Sequence, residues 1–497
     1  MIRTLLQFTF IFSIFTLGAQ TQGSAYTAVG KGVATTFVTD YHSLGINSSA
    51  LGWGTGYEDK HVTLGMTEFS MGIYSDSLSS DKLNSLFKTF RNGAFGKQTE
   101  SADWEQQAQN AADYLNSGVS IDATYNWFGF AYQNEKLGGI AFSIQERYNW
   151  YSKLSQDVST ISFGVNSSDY FDQYTVVYDE DTSVVQNYDG ISEDTLSHAI
   201  SGRLTTPFSL SDITKGTDIK FTWNRHYNFG YGRKLFGDST FALYAGIGGR
   251  YITSAAMFDF ESNDNGISLN SAVSPNYDID YGEVSTTNPS NIIERGNLLP
   301  KAVGSGYGVD LSVSARLFNK LKVGLAVNNI GAVTYKRNVY SVKDSTINDL
   351  RMNGIDDNNI TSVMDDLLKE DGILNLVGEE KVEIKNAATI RLGGSMEFGE
   401  KLTFGFDFIA PFDRTAPGSI QNPIFSLGGE VKPLKWLALS VGYLGGGIYK
   451  HNIPVGVNFV MKNGTYEFGI SSRDALSFFL KGSNSISAAF GVLRVRF

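Results

Sequence analysis

Gly138-Gly139-Ile140-Ala141-Phe142-Ser143-Ile144-Gln145-Glu146-Arg147-Tyr148-Asn149-Trp150 is the stretch whose reading decides the fold. Ile140, Phe142, Ile144, Tyr148 and Trp150 share one face, and Ala141, Ser143, Gln145, Arg147 and Asn149 share the other. A period of two belongs to a β-strand, whose successive side chains point to opposite faces. An apolar face opposed to a small, polar and charged one suits a wall with hydrocarbon on one side and water on the other.

The same alternation spreads in both directions. Ser120 to Gln133 precedes this strand and joins it through Asn134-Glu135-Lys136. Further pairs run 218–235 with 240–252, 306–317 with 321–335, 382–398 with 402–410, 424–432 with 436–445, and 452–461 with 465–473. Their connections are short: Phe236-Gly237-Asp238-Ser239, Phe318-Asn319-Lys320, Gly399-Glu400-Lys401, a turn around Pro433, and Asn463-Gly464, a strong hairpin signal. Single strands at 61–75 and 485–497 flank the pairs. In the first of them the apolar frame shifts from Val62, Leu64 and Met66 to Phe69, Met71 and Ile73, which predicts a bulge near Thr67-Glu68.

About fourteen strands with tight turns on one side and long connections on the other make an all-β, transmembrane, antiparallel up-and-down barrel. A soluble sandwich would alternate too. A closed barrel of that width, however, is too wide for its own side chains to fill, and the polar face carries charges of both signs, among them Arg147, Arg250, Arg391, Glu397, Asp407, Glu430 and Glu467. These suit a wet lumen or polar contacts to a plug. An even strand number puts both termini on one side, which for a secreted chain is the periplasm.

The 497 residues include 53 Gly, 34 Phe and 25 Tyr but no Cys, which excludes disulfides and thiol chemistry. The net charge of −11 argues against nucleic-acid binding. Arg3, the apolar run Leu5 to Leu17 and the small residues ending at Ala19 read as a secretory signal, residues 1–19. Residues 20–60, rich in Gly, Ser, Thr and Ala, form the segment available to fill the lumen, and 61–497 the barrel. Of the long outer connections, 76–119 has helical periodicity (Leu83, Leu86, Phe87 and Phe90; then Trp104, Ala108, Ala111 and Leu115), with Gly118 as its end. A further short helix is expected around Val363, Met364, Leu367 and Leu368. Trp127, Trp150, Tyr151, Trp223, Trp436, Tyr443 and Tyr466 fit aromatic girdles at the two membrane interfaces.

Asn47-Ser48-Ser49-Ala50-Leu51-Gly52 resembles the hatch segment of the long-chain fatty-acid transporter (FadL-like) barrels, with Ser48 where that family has Pro. Gly30-Lys31-Gly32-Val33-Ala34 is similar to their small-residue run, and Asn328-Asn329-Ile330-Gly331 to a recurrent strand-end motif. Val495-Arg496-Phe497 resembles the C-terminal signal by which outer-membrane barrels are recognised by the assembly machinery. The large outer loops are more like those of the barrels associated with type IX secretion (PorV-like). The resemblance implies an outer-membrane protein with a luminal hatch that binds or transports a hydrophobic, fatty-acid-like small molecule. It places Asn47, Ala50 and Leu51, with Phe37 and Tyr41 beside them, at the ligand. The alternative it implies is a non-transporting assembly barrel whose outer loops dock a protein partner.

No catalytic constellation is present in the sequence. The five histidines, His42, His61, His198, His226 and His451, form no metal-binding or triad spacing, and His226 reads as a polar lumen residue. Asp356-Asp357-Asn358-Asn359 lacks the turn Gly and distal Glu of a calcium loop. No cofactor and no enzymatic activity are expected.

Overall fold

The computed structural model describes residues 25–497 except 76–112, 114, 135, 163–170, 179–180, 188–190, 193, 196–197, 207, 265, 280, 282–283, 343–345, 348–349, 354–375, 421, 448–450 and 476–484. Fourteen strands close into one antiparallel barrel. They are β1 (Val62–Ser75), β2 (Val119–Asn134), β3 (Gly138–Lys153), β4 (Asp218–Gly237), β5 (Phe241–Asn263), β6 (Gly304–Leu317) and β7 (Leu321–Tyr335). The circuit continues with β8 (Thr389–Phe398), β9 (Leu402–Pro411), β10 (Ile424–Leu434), β11 (Leu437–Gly446), β12 (Val455–Met461), β13 (Tyr466–Ser472) and β14 (Ser485–Arg496). Each strand pairs with its neighbour in sequence, and β14 pairs with β1 from Thr63↔Arg496 to Tyr74↔Ser485. Closure leaves no unpaired edge, the condition for a sheet to cross a membrane.

Large apolar side chains point outward. Along β9, Leu402, Phe404, Phe406 and Phe408 are exposed while Gly405 and Asp407 are buried toward the lumen. Exposed Phe425, Leu427, Val431, Leu439, Val441 and Tyr443 extend this surface over β10 and β11. An apolar band of this extent has no place in water and defines the lipid face. Trp436, stacked on Phe459 at 6.1 Å, and exposed Phe497 mark the end with the tight turns; Tyr125, Trp127 and Trp223 lie higher on the outer face.

The frame change expected near Thr67 is present, but its form differs. Thr67 has φ +57°, and inward positions switch from Thr63 and Gly65 to Glu68 and Ser70. Even so, β1 keeps register with both neighbours, since Met66↔Phe128 continues to Glu68↔Asn126, and Met66↔Leu493 to Glu68↔Gly491. The extra residue is shared across three strands. β2 gains it against β3 between Asn126 and Phe128, and β14 gains it against β13 between Gly491 and Arg494. A bulge carried at one height by adjacent strands bends the wall without breaking it.

A break does occur between β7 and β8. The ladder runs from Leu321↔Met396 to Asn328↔Thr389, stops, and resumes at Ala332↔Lys385. The sequence pattern reads 382–398 as one strand, whereas the chain leaves the sheet at 386–388. Opposite it, Asn329 has φ +64° and Gly331 φ +155°. Among the described residues the interruption is crossed by Asn386 N–H to the Gly331 carbonyl (3.0 Å), by the Asn386 side-chain amide to the Tyr307 carbonyl of β6 (2.8 Å) and by a weak Asn329 amide contact to the Ala387 carbonyl (3.4 Å).

On the side away from the tight turns, β5 extends well beyond the 240–252 expected, and pairs there with 266–273. A separate four-stranded sheet forms from Gln173–Tyr178, Asp181–Gln186, Ala199–Leu204 and Leu350–Asn353. Of the helical loop expected at 76–119, residues 115–117 are described and helical, and Gly118 follows with φ +88°. Asp113 is helical as well; residues 76–112 and 114 lie outside the described residues, as do the helix expected around Val363 and the Asp356–Asn359 run.

A lumen closed by the N-terminal segment

Residues 25–60 lie against the inner faces of nearly all the strands. Their short helices, Tyr26–Val29, Asp40–Ser43 and Ser48–Trp53, are almost wholly buried. A segment without apolar periodicity is stable there because the lumen wall supplies polar partners. The Asp407 carboxylate of β9 accepts from the N–H groups of Ala34 (2.7 Å) and Thr35 (3.0 Å). Lys31 pairs with Glu430 of β10 at 2.7 Å. Ser49 donates to Ser314 of β6 (2.7 Å), and Ser312 accepts from the Ser49 N–H (2.8 Å).

The Gly-rich inner face has a matching cause. A Cβ on Gly428 would stand 1.8 Å from the Lys31 carbonyl oxygen, one on Gly246 2.2 Å from the Ser49 nitrogen, and one on Gly65 1.8 Å from the Tyr41 hydroxyl. The wall is bare where the hatch backbone approaches it. Gly428→Val should therefore unseat the segment around Lys31. Limited proteolysis of the folded barrel should show cleavage near residue 31 in the variant only; equal protection in both proteins would refute the contact.

Two buried ionic clusters tie the segment to the closing seam. Glu68, fully buried on β1, accepts from the Tyr41 hydroxyl (2.5 Å) and the Asn126 amide (2.9 Å), and both its oxygens lie 3.0 Å from His42 Nε2. Arg494 of β14 joins Asp40 to Glu467 of β13, and Arg496 holds the same Glu467 at 2.5 Å. Low dielectric strengthens such pairs and makes the loss of one partner costly.

The residues singled out in the sequence are placed as follows. Asn47 is buried and its amide donates to the Thr35 carbonyl (2.8 Å), so it braces the hatch from within. Ala50 packs with Trp53, Ala242 and Tyr244, and Leu51 with Tyr41, Leu44, Ala131 and Ala141. Phe37 sits under the Lys31 ammonium at 5.4 Å. Tyr41 is bound to Glu68. None of these five lines either of the two lumen cavities described next.

The larger cavity, of about 110 Å³, lies between the hatch and strands β2 to β5, β7 and β8. Its floor is His42, Leu44, Gly45 and Ile46, the immediate neighbours of the expected residues. Its wall carries Arg147, His226, Arg250 and Arg391 and reaches the interrupted ladder at Asn329, Asn386 and Ala387. The Asn328-Asn329-Ile330-Gly331 motif spans both structures. The Asn328 amide donates to the Ile46 carbonyl (3.1 Å), and Asn329 N–H donates to Asp310 (2.7 Å), which pairs with Arg250. A smaller cavity of about 30 Å³ is lined by Val29, Val33, Ile409 and Ile424 with Arg391 and Asp407 at its edge. The Nδ1 of His226 has no hydrogen-bond partner among the described residues. Among the described residues no group of side chains is arranged to hold a metal ion.

Sequence reasoning placed Arg147, Arg250 and Arg391 on the polar face. It did not bring them together, because they lie on strands 100 or more residues apart that only barrel closure sets across one space.

The sequence matches the family of unknown function DUF5723 over residues 58–470. The chain belongs to this family. No curated protein matches it. Among solved structures it is similar to a TodX deltaS2S3 mutant, a monoaromatic hydrocarbon channel (10% identity, 95% of this chain and 98% of that one, TM-score 0.44). It is also similar to the Ralstonia pickettii toluene transporter TbuX (11%, 96% and 99%, TM-score 0.43) and to a Pseudomonas aeruginosa FadL homologue (9%, 96% and 96%, TM-score 0.35). The fold of this DUF5723 member rests on its own strand pairing and lipid face.

Proposed function

We propose that this DUF5723 protein is an outer-membrane barrel, with both termini periplasmic, that exchanges a small hydrophobic or amphiphilic molecule between its lumen and the bilayer. The observation that carries this reading is the meeting of the larger cavity with the broken ladder between β7 and β8. At about 3.3 Å per residue and a tilt of about 40°, Asn329 stands roughly 25 Å above the tight turn at 318–320, near the outer edge of the hydrocarbon band. A closed lumen that communicates sideways at that height suits a solute shared between water and lipid. The hatch residues Asn47, Ala50, Leu51, Phe37 and Tyr41 then shape the floor rather than touch the cargo.

The chain has no Cys, which makes a clean test available. An Ala387→Cys variant labelled with a bulky maleimide should lose at least tenfold of its uptake of a fluorescent amphiphile in proteoliposomes. The unlabelled variant should match the wild type. Equal uptake with and without the label would remove the lateral route.

The small sheet built from 173–178, 181–186, 199–204 and 350–353 favours a second reading, a surface-assembly or type IX secretion-associated barrel that docks a protein. One of its two edge strands, Asp181–Gln186, is exposed along nearly its whole length, and an open edge of this kind is one way to receive a partner strand. Deletion of 173–204 should then abolish cross-linking to that partner while amphiphile uptake persists.

A further inference from the structure

We propose that the larger lumen cavity is an oxyanion site, built to hold a carboxylate- or phosphate-type group by Arg147 together with Arg250 and Arg391. It uses the cavity of the transport reading but not the wall exit, and so names the chemistry of the cargo or of its polar head.

The charge of the lining is unbalanced. Arg147, Arg250, Arg391 and Lys385 border the cavity against one carboxylate, Asp122. Arg250 is matched by Asp310, with both carboxylate oxygens within hydrogen-bond reach of its Nη2. Arg147 has no hydrogen-bond or ion-pair partner among the described residues, although it points into a space sealed below by the hatch. Two further groups are left wanting. The Nε atom of Arg250 and the Nδ1 of His226 are buried without a hydrogen-bond partner among the described residues, on side chains that are themselves more than nine-tenths buried.

Buried polar groups are nearly always satisfied, and an unpaired buried charge costs several kcal/mol. A structure that gathers guanidinium groups around a small cavity and leaves one of them unpaired is therefore preorganised for a negative ligand. Guanidinium groups present fixed, forked donors that match the planar or tetrahedral oxygens of such an anion. An uncharged hydrocarbon in the same space would displace water from the arginines and return nothing.

The test is calorimetric titration of the purified barrel in detergent with acetate and inorganic phosphate, with octanoate and octyl phosphate, and with octanol as the uncharged control. Binding of the free anions identifies a small hydrophilic oxyanion; binding confined to octanoate or octyl phosphate identifies the head of an amphiphile. Either outcome supports the site, provided Arg147→Gln weakens it at least tenfold and Arg147→Lys weakens it less. Asp122→Asn removes the one opposing carboxylate and should tighten binding several-fold, which guards against a loss caused by misfolding in Arg147→Gln. No anion binding, octanol binding as tight as octanoate, or affinity unchanged in Arg147→Gln would overturn the proposal. Anion binding by a barrel that passes no amphiphile in proteoliposomes would sink the transport reading alone, and uptake of an uncharged amphiphile without anion binding would sink this one alone.

Discussion

Replacing Glu68 by Ala should lower the stability of the folded barrel by about 3–5 kcal/mol, the usual cost of removing one side of a buried charged cluster. The carboxylate is the common acceptor of Tyr41, Asn126 and His42, and it is fully buried. Its loss leaves three polar groups without a partner, at about 1–3 kcal/mol for each one that finds no water. It also removes the link between the hatch and the bend shared by β14, β1 and β2, so residues 40–43 should become protease-sensitive before the barrel unfolds. Glu68→Gln keeps the volume and one acceptor and should recover roughly half of the loss. The measurement is the urea midpoint of the barrel in lipid vesicles; an Ala variant within about 1 kcal/mol of wild type would show that the cluster does not hold the hatch.

Deleting Phe497 should reduce the amount of heat-modifiable barrel in the outer membrane at least tenfold. The residue closes the circuit: its carbonyl accepts from the N–H groups of His61 (3.0 Å) and Val62 (2.8 Å), and its own N–H donates to the Val62 carbonyl (3.0 Å). Its ring is exposed to the lipid side, where an aromatic residue anchors a strand end at the interface. Three backbone bonds at the tight-turn end of the seam between first and last strand are lost together, at the point where the ladder from Thr63↔Arg496 to Tyr74↔Ser485 begins. Phe497→Ala keeps the bonds and removes the ring, so it separates closure from the assembly-signal role that the resemblance of Val495-Arg496-Phe497 implies. Wild-type levels of heat-modifiable barrel from the deletion would refute the closing role.

Most of the wall could be read residue by residue. In the Gly138–Lys153 strand Ile140, Phe142 and Ile144 face outward in alternation with Ala141, Ser143 and Gln145, and a lipid face over that stretch imprints the period of two that the sequence shows, up to Glu146, which is buried against Arg225 and Trp223. The tight turns were legible for a similar local reason: Asn319, and Asn463 with Gly464, are residues that accept positive φ. The break at 386–388 was not legible, because Asn386, Ala387 and Ala388 are unremarkable in a strand and the cause lies across the sheet, at Asn329 and Gly331. The bend at Thr67 was legible in β1 but not its extent. That depends on Trp127 and Val492 adding a residue at the same height in strands distant in sequence.

The candidate site was less legible than the wall. Asn47, Ala50 and Leu51 stood out by resemblance, and the structure gives them contacts within the hatch and with the wall. The neighbours at 42–46 meet the cavity instead, because a chain turning through short helices alternates what it shows to the wall and what it shows to the space beside it.

By itself the sequence determined a closed transmembrane wall, since alternation, turn chemistry and strand number are local properties that hydrocarbon on one face enforces everywhere. Only the tertiary structure decided what the lumen contains. The contacts Asp407 to Ala34, Glu430 to Lys31 and Arg494 to Asp40 join residues hundreds of positions apart. The same closure sets Arg147, Arg250 and Arg391 around one cavity. Charges that read as scattered along fourteen strands become a site because a barrel brings its inner faces together across one shared space.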